Sequence, residues 1–458
     1  MSQHDIKETF LNTRPKASFN TAVNYLFDSL LNILSQLRTN QDNFFTLTNL
    51  LMNAKVLYEK SIYQECFNLL IKVQEEAVKY ENFTILLIAQ KLELDYLLSL
   101  NFPNISEQEL LSKRYKINDT LKKIRKINEH ASLYELLKHR ILHKGTARSS
   151  KHIQEFNDLV VSEMSIVSSS GFDNFEIQKN HKLFQSGYLI NVGDYNSALT
   201  SFYELNNIFE QNKHLLSNPP IYYLMTIEGV LESLRNIRNY EGMEYFIDQL
   251  NNIQSSSSHF IIQVKCVVFL YRLFPLIDRG YFAEAKKIVD DYKNELYDKI
   301  SLLIPDRQVQ LCLYTALVYL GLKEFVKARK MISQIISGEK KFFSVPLLRT
   351  LRLVNLMVLY EQNEFDYIEF EVRSIKREIQ NKEQIYQIEL MMLKLLNNPL
   401  SNLSIKERNA RWRKIEPKLA EFRNNKFELQ LLRVYDFTAW IESKIKNIPL
   451  DMILREKN

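Results

Sequence analysis

Two groups of side chains in this 458-residue chain have the types and spacing to do chemistry. The larger is basic. Ser112 to His152 carries twelve Lys and Arg against three acids, together with four of the chain's eight histidines. Lys122, Lys123, Arg125, Lys126, Lys138, Arg140 and Arg148 are its candidate contacts, and a cluster of this sign can hold a phosphate backbone or an acidic partner. Within it, Arg125 and His130 stand with four residues between them, so that one side chain could steady a phosphate while the other moves a proton. The second group is His139 and His143, which share a helix face as zinc-binding pairs do. No Glu follows His139 in the metalloprotease arrangement, so no metal site is expected there.

Each group has a plainer reading. Lys and Arg at helical spacing also make an ordinary solvated face, and no aromatic stacking module accompanies them. The chain has no Gly-rich phosphate loop and no Ser, Cys or Thr with partners in register for nucleophilic catalysis. A non-enzyme with no cofactor and no bound small molecule is therefore expected. The three cysteines, Cys66, Cys266 and Cys312, lie far apart among apolar neighbours, which reads as reduced core thiols rather than a disulfide or zinc framework. The first residues have no apolar core of the signal-peptide kind. The most apolar window, Phe260 to Ile277, includes Lys265 and Arg272 and reads as a buried helix rather than a membrane span. A cytoplasmic protein is expected.

The elements that position these residues follow from composition and period. Hydrophobic residues make up 46% and charged ones 25%, as in ordinary soluble proteins, but there are only nine glycines. So few leave little material for hairpin turns between strands, which favours long helices joined by short connections. At this length the chain is either several domains or one elongated array.

An array is what the pattern shows. Val309 to Ile336 contains one helix, a short turn, and a second helix with Phe325, Ala328, Ile332 and Ile335 at helical spacing. Altered copies place Tyr63 before Cys66, Tyr195 before Ala198, Tyr240 before Met243, Phe282 before Ala285 and Phe365 before Ile368. The steps between aromatics from Tyr195 onward are 45, 42, 43 and 40 residues, and the early gap of 132 is three steps of 44. A near-constant step is the mark of stacked supersecondary units. Pro220, Pro305 and Pro346 keep the same register, 22 or 23 residues before Met243, Ala328 and Ile368, where proline suits the first turn of a helix. Ser344 is placed to cap one such start.

These residues resemble the tetratricopeptide-repeat superfamily. Ala316, Tyr319, Phe325 and Ala328 match its pattern of small and aromatic positions best, followed by Ser186, Gly193, Tyr195, Ala198 and Phe202. The resemblance covers about residues 46 to 395. It departs from the family in its long units, against the usual ~34 residues, and in lacking the Trp that opens the family's unit. It implies an all-α fold, a right-handed superhelical array of antiparallel helical hairpins. It also implies a concave groove, lined by the first helix of each unit, that holds a peptide or helix of a partner protein. Carried over by register, that groove includes Leu313, Leu317, Met357 and Tyr360, with Glu228, Glu232 and Arg235 as its charged part. The family's carboxylate-holding Lys and Asn set is absent. Arg125 and His130 also match the spacing in a motif of some helical ribonucleases, but the surrounding repeat does not look like that fold.

The expected organisation is an arm and leading helix over 1–45, repeats over 46–400 and a capping hairpin over 401–458. The leading helix, with Phe19, Val23, Leu26, Phe27, Leu30, Leu31, Leu34 and Leu37 at helical spacing, is expected to lie against the first hairpin. The irregular middle predicts helices at Phe83–Leu100, Ser106–Ile127, Ser132–His143 and Ser149–Ser168. Ser404 to Glu407 has the form of a capping box, and a last helix is expected over Phe427–Lys444. The function expected is a non-catalytic interaction scaffold or adaptor for a protein partner. The alternative is a nucleic-acid-associated regulatory component using the basic face of residues 112–152.

Overall fold

Every hairpin of the repeat closes on one residue held in the left-handed region, and most of these residues are not glycine. Ser61, Gly193, Arg238, Gly280, Lys323 and Asn363 have φ between 60° and 80°. Each stands two residues before the repeat aromatic: Tyr63, Tyr195, Tyr240, Phe282, Phe325 and Phe365. The residue after each donates its N–H back across the turn, from Ile62 to Leu57 O (3.0 Å), Asp194 to Leu189 O (3.0 Å), Asn239 to Leu234 O (2.9 Å), Tyr281 to Leu276 O (2.8 Å), Glu324 to Tyr319 O (2.8 Å) and Glu364 to Leu359 O (3.0 Å). This six-to-one bond is the Schellman closure, which satisfies a carbonyl that the helix end would leave unpaired. Glu81, two before Phe83, makes the same closure.

The computed structural model describes residues 3–15, 17–38, 42–145, 147–169, 174–338, 342, 345–378, 385–396 and 404–457. These residues are all-helical, with no strand among them. They divide into two compact units, 1–128 and 129–458. The first contains α1 (Gln3–Thr13), α2 (Phe19–Arg38), α3 (Asn43–Glu59), α4 (Tyr63–Lys79), α5 (Phe83–Ser99) and the first part of α6 (Glu107–Lys144). The second contains the rest of α6, then α7 (Ser150–Gln154), α8 (Asn157–Ser169), α9 (Phe175–Val192), α10 (Tyr195–Gln211), α11 (Ile221–Asn236), α12 (Met243–Asn251), α13 (Ser258–Asp278) and α14 (Phe282–Asp291). It continues with α15 (Pro305–Gly321), α16 (Phe325–Ile336), α17 (Leu348–Glu361), α18 (Phe365–Glu378), α19 (Gln387–Leu396), α20 (Ile405–Asn424), α21 (Lys426–Leu432), α22 (Phe437–Lys446) and α23 (Leu450–Lys457).

Consecutive helices pack as neighbouring pairs, consistent with a helical repeat. In the second unit the first helices α9, α11, α13, α15, α17 and α19 lie side by side, α10, α12, α14 and α16 each pack against both the first helix of their own pair and that of the next, and α18 packs on α17. The small or apolar residue three after each aromatic is the pivot of that contact: Cys66, Ala198, Met243, Ala285, Ala328 and Ile368 are all buried. The layered first helices are buried on most sides, though α9 also buries polar residues such as Lys179, Asn180 and His181. α13 is the one described helix long and apolar enough to cross a membrane, and most of that stretch is buried in the core. The second helices are one-sided, as α16 shows by burying Ala328, Ile332 and Ile335 while Val326 faces solvent.

Several expectations need correction. The two helices drawn over 106–143 are the single helix α6, because Asn128-Glu129-His130-Ala131 contains neither Gly nor Pro to break it. The helix drawn over 149–168 is instead two, α7 and α8, with Phe156 turned fully into the core between them. The last helix is likewise split: Asp436 accepts the Ala439 N–H at 3.0 Å and caps a fresh start at α22. The leading helix α2 forms, yet Val23, Leu26, Phe27, Leu30, Leu31, Leu34 and Leu37 are 45–64% exposed. Leu47, Leu51 and Ala54 of α3 form their core with α4 and α5, while Phe44, Met52 and Val56 of the same helix stay 52–62% exposed, so α2 does not cover the apolar side chains that α3 leaves outside. Ser344 lies outside the described residues. The Ser404–Glu407 capping box is present with both of its reciprocal bonds.

The C-terminal helices reach back across the C-terminal ends of the first helices. Gln430 donates to Asn191 O at the end of α9 (3.2 Å), Arg238 beyond α11 to Lys457 O (3.2 Å), and Trp440 to Glu361 at the end of α17 (3.0 Å). The backbone of Asp451 lies against Gly280, just after α13, where a Cβ would come within 2.9 Å of the Asp451 carbonyl. Helix C-termini present unpaired carbonyls and partial negative charge. The segment from Ser401 suits them, with thirteen Lys and Arg against eight acids.

Candidate functional site

The apolar residues assigned to a partner groove are core residues in this structure. Leu313 and Leu317 of α15 and Met357 of α17 have 0% exposure, and Tyr360 has 8%. The physical reason is the crowded layer of first helices: α15 packs against α13, α14, α16 and α17. At the α17 end, Tyr360 meets Trp440 edge to face, 5.6 Å between centroids. No open apolar groove passes through these four residues.

The charged members of the set do converge. Glu228, Glu232 and Arg235 line a small cavity of about 150 Å³ with Tyr271, Arg307 and Tyr314. Arg307 reaches from α15 to grip Glu228 of α11, its Nη1 donating to Oε1 at 2.6 Å. Arg235 forks onto Asp278 of α13 through Nε (2.9 Å) and Nη2 (2.8 Å), and its guanidinium sits 3.8 Å from the Phe274 ring centroid. Burial opposes the charge on both arginines, but Asp278 and Glu228 more than offset it and hold them above the ordinary guanidinium range. Glu232 goes the other way: burial, then the nearby Glu228, pushes its carboxyl above the usual range. The arrangement offers ion pairing and a carboxyl that resists ionisation.

Beside it, a cavity of about 510 Å³ is lined by Arg235, Arg238, Asp278, Arg423, Arg433 and Lys457 among others. Most of its cations are engaged by their own chain. Arg423 donates to Thr438 (2.9 Å), Lys457 pairs with Glu442 (2.6 Å), and Arg433 stacks over Tyr195 at 4.0 Å.

The basic stretch is divided between the two units. In the first, Lys122 and Arg125 are exposed, Lys126 is half-buried, and Lys123 pairs with Asp119 at 3.0 Å. In the second, Arg140 forks onto Asp158 with both contacts at 2.6 Å. Arg148 lies over the Tyr386 ring at 4.5 Å, and Lys138 lies over Tyr134 at 5.7 Å. Burial lowers the Lys138 amine, with Glu228 and Glu232 opposing in part. His139 and His143 are exposed, their rings 4.3 Å apart.

His130 is where the residue-spacing argument missed most. It does not face solvent beside Arg125; it is fully buried with Glu163 of α8 and His181 of α9. The only sequence signal is that His130 shares the helix face of Leu133, Tyr134 and Leu137, which points it into the core. Nothing in the spacing links it to positions on two later helices.

The chain matches no protein-family model, no curated protein and no solved structure.

Proposed function

We propose that this chain is a non-catalytic protein–protein interaction component, built as a tetratricopeptide-like array, that holds an amphipathic helix of a partner protein. The observation that carries the reading is the apolar face of α2. Seven large apolar side chains at helical spacing remain 45–64% exposed on it, and α2 carries only Asp28 and Arg38 as charges. A contiguous apolar face of this length is what a soluble protein reserves for another surface. At 20 residues α2 is about 30 Å long, the run that a partner helix covers with i, i+3, i+4 and i+7 anchors. The turn chemistry supports the array: the same Schellman closure recurs two residues before each aromatic. The engagement of Arg140, Arg148 and Lys138 by their own chain weighs against nucleic acid as the principal partner.

The test is affinity purification of tagged protein from its native extract, with and without nuclease, beside the Leu26→Glu/Leu30→Glu variant. The proposal expects a protein recovered in near-equal amount, resistant to nuclease and lost with the variant. Recovery that collapses with nuclease transfers the function to the basic residues. A purified chain that is dimeric alone and becomes monomeric in the variant makes the occupant a second copy, and also overturns the reading.

A further inference from the structure

We propose that His130, Glu163 and His181 form a binding site for a divalent transition-metal ion, zinc first among them, in the second unit. Three helices bring these side chains together. His130 projects from α6 alongside Leu137, Glu163 from α8 one turn after Leu159, and His181 from α9 between Ile177 and Leu183, all of them core residues. Their exposures are 0%, 4% and 7%. One potential ligand atom from each lies within 4.8 Å of the other two.

The geometry within the cluster suits an ion. The Glu163 carboxylate stands between the imidazoles: Oε1 is hydrogen-bonded to His181 Nδ1, and Oε2 is 3.8 Å from His130 Nδ1. The rings are nearly perpendicular, 84° apart, with centroids 6.2 Å apart, so they approach one point from different directions. A tetrahedral zinc with bonds of about 2.0–2.1 Å separates its ligand atoms by roughly 3.3 Å. Shifts of about 1 Å in the side chains therefore reach coordination distance.

The donor set decides the class of ion. Two imidazoles and one carboxylate suit zinc and its first-row neighbours, whereas calcium and magnesium prefer all-oxygen cages. Three protein ligands leave one position for water or a small ligand. Glu163 also lines a surface cleft of about 480 Å³ with Val160, Met164, Gln185 and Tyr188, which gives the ion a route in and the fourth position an outlet. Burying a carboxylate among core side chains is costly unless it is paired. A bound cation satisfies both imidazoles and the carboxylate together, and ties α8 to α6 and α9.

The competing account is a metal-independent polar cluster, in which Glu163 is needed only as the hydrogen-bond partner of His181. The full-length protein distinguishes the two. Metal content of the purified chain is measured by mass spectrometry. After chelation, Zn²⁺ is titrated calorimetrically, with Mg²⁺ and Ca²⁺ as controls, and Co²⁺ is followed by its visible absorption. Three variants are compared: Glu163→Gln, His181→Ala and, because the exposed His139 and His143 also form a pair, His139→Ala/His143→Ala. Circular dichroism and a thermal melt in chelator check folding.

The expected result is one saturable Zn²⁺ site per chain, a melting temperature that rises with Zn²⁺ but not Mg²⁺, and an intense Co²⁺ spectrum of low coordination number. Glu163→Gln keeps the fold and the hydrogen-bonding shape, so it should weaken Zn²⁺ by more than the ~10–100-fold that loss of an outer partner costs. The His139/His143 variant should bind as the wild type does. The proposal is overturned if folded protein shows no saturable Zn²⁺ binding, if Glu163→Gln binds as the wild type does, or if the surface pair accounts for the binding.

Discussion

Trp440 donates its indole N–H to Glu361 at 3.0 Å, and the other oxygen of the same carboxylate takes the Lys444 ammonium at 2.7 Å. This pair joins α22 to the C-terminal end of α17, and the ring is fully buried. Trp440→Ala should therefore cost about 3–5 kcal/mol, as emptied large core sites do. Trp440→Phe should cost about 1–2 kcal/mol through the lost donor. Denaturant unfolding of both, with Glu361→Gln as the third corner of a double-mutant cycle, should show non-additive losses.

Ala328 packs with no exposed surface at the pivot of α16 on its hairpin. Ala328→Arg should destabilise by several kcal/mol through a buried, unpaired charge. A thermal melt unchanged from the wild type would mean that the repeat register is misplaced.

Gly229 sits inside α11 where a Cβ would fall 2.2 Å from the Phe202 ring. Gly229→Ala improves helix propensity by about 1 kcal/mol, but the clash should dominate and leave a net loss of about 1–2 kcal/mol. In a Phe202→Leu background the same substitution should cost less, which unfolding measurements on the four proteins would show.

Glu228 is the carboxylate partner of Arg307, whose side chain is only 11% exposed. Glu228→Gln should cost about 3 kcal/mol, since it leaves a desolvated guanidinium without its counter-charge. Replacing both residues by Met should recover most of that loss, read as the denaturation midpoint.

Glu232 has a folded-state pKa raised by burial and by Glu228. Between its unfolded and folded pKa values the folded chain holds more protons, so its contribution to stability falls as pH rises through that window. Glu232→Gln should therefore stabilise at neutral pH and gain nothing below the ordinary carboxylate range. An equal gain at both ends of a pH series of melts would remove this carboxyl as the cause.

What was legible in the chain was local and periodic. Phe325 with Ala328, and their copies at 40–45 residue steps, are visible because each hairpin repeats one contact between neighbours in sequence, and period is how such contacts register. The scarcity of glycine was legible too, although not that Ser61, Arg238, Lys323 and Asn363 would take the left-handed position. Tertiary packing decided the rest. Whether Leu317 and Met357 line a groove or lie inside depends on what covers the first helices, and a uniformly apolar helix reads the same either way. The exposure of α2 was likewise decided by packing: Leu47, Leu51 and Ala54 of α3 turn toward α4 and α5, and Met52 and Val56 stay exposed without α2 over them. His130, Glu163 and His181 have no periodic relation; only the packing of α6, α8 and α9 brings them together, because side chains on separate helices meet through the fold and not through spacing.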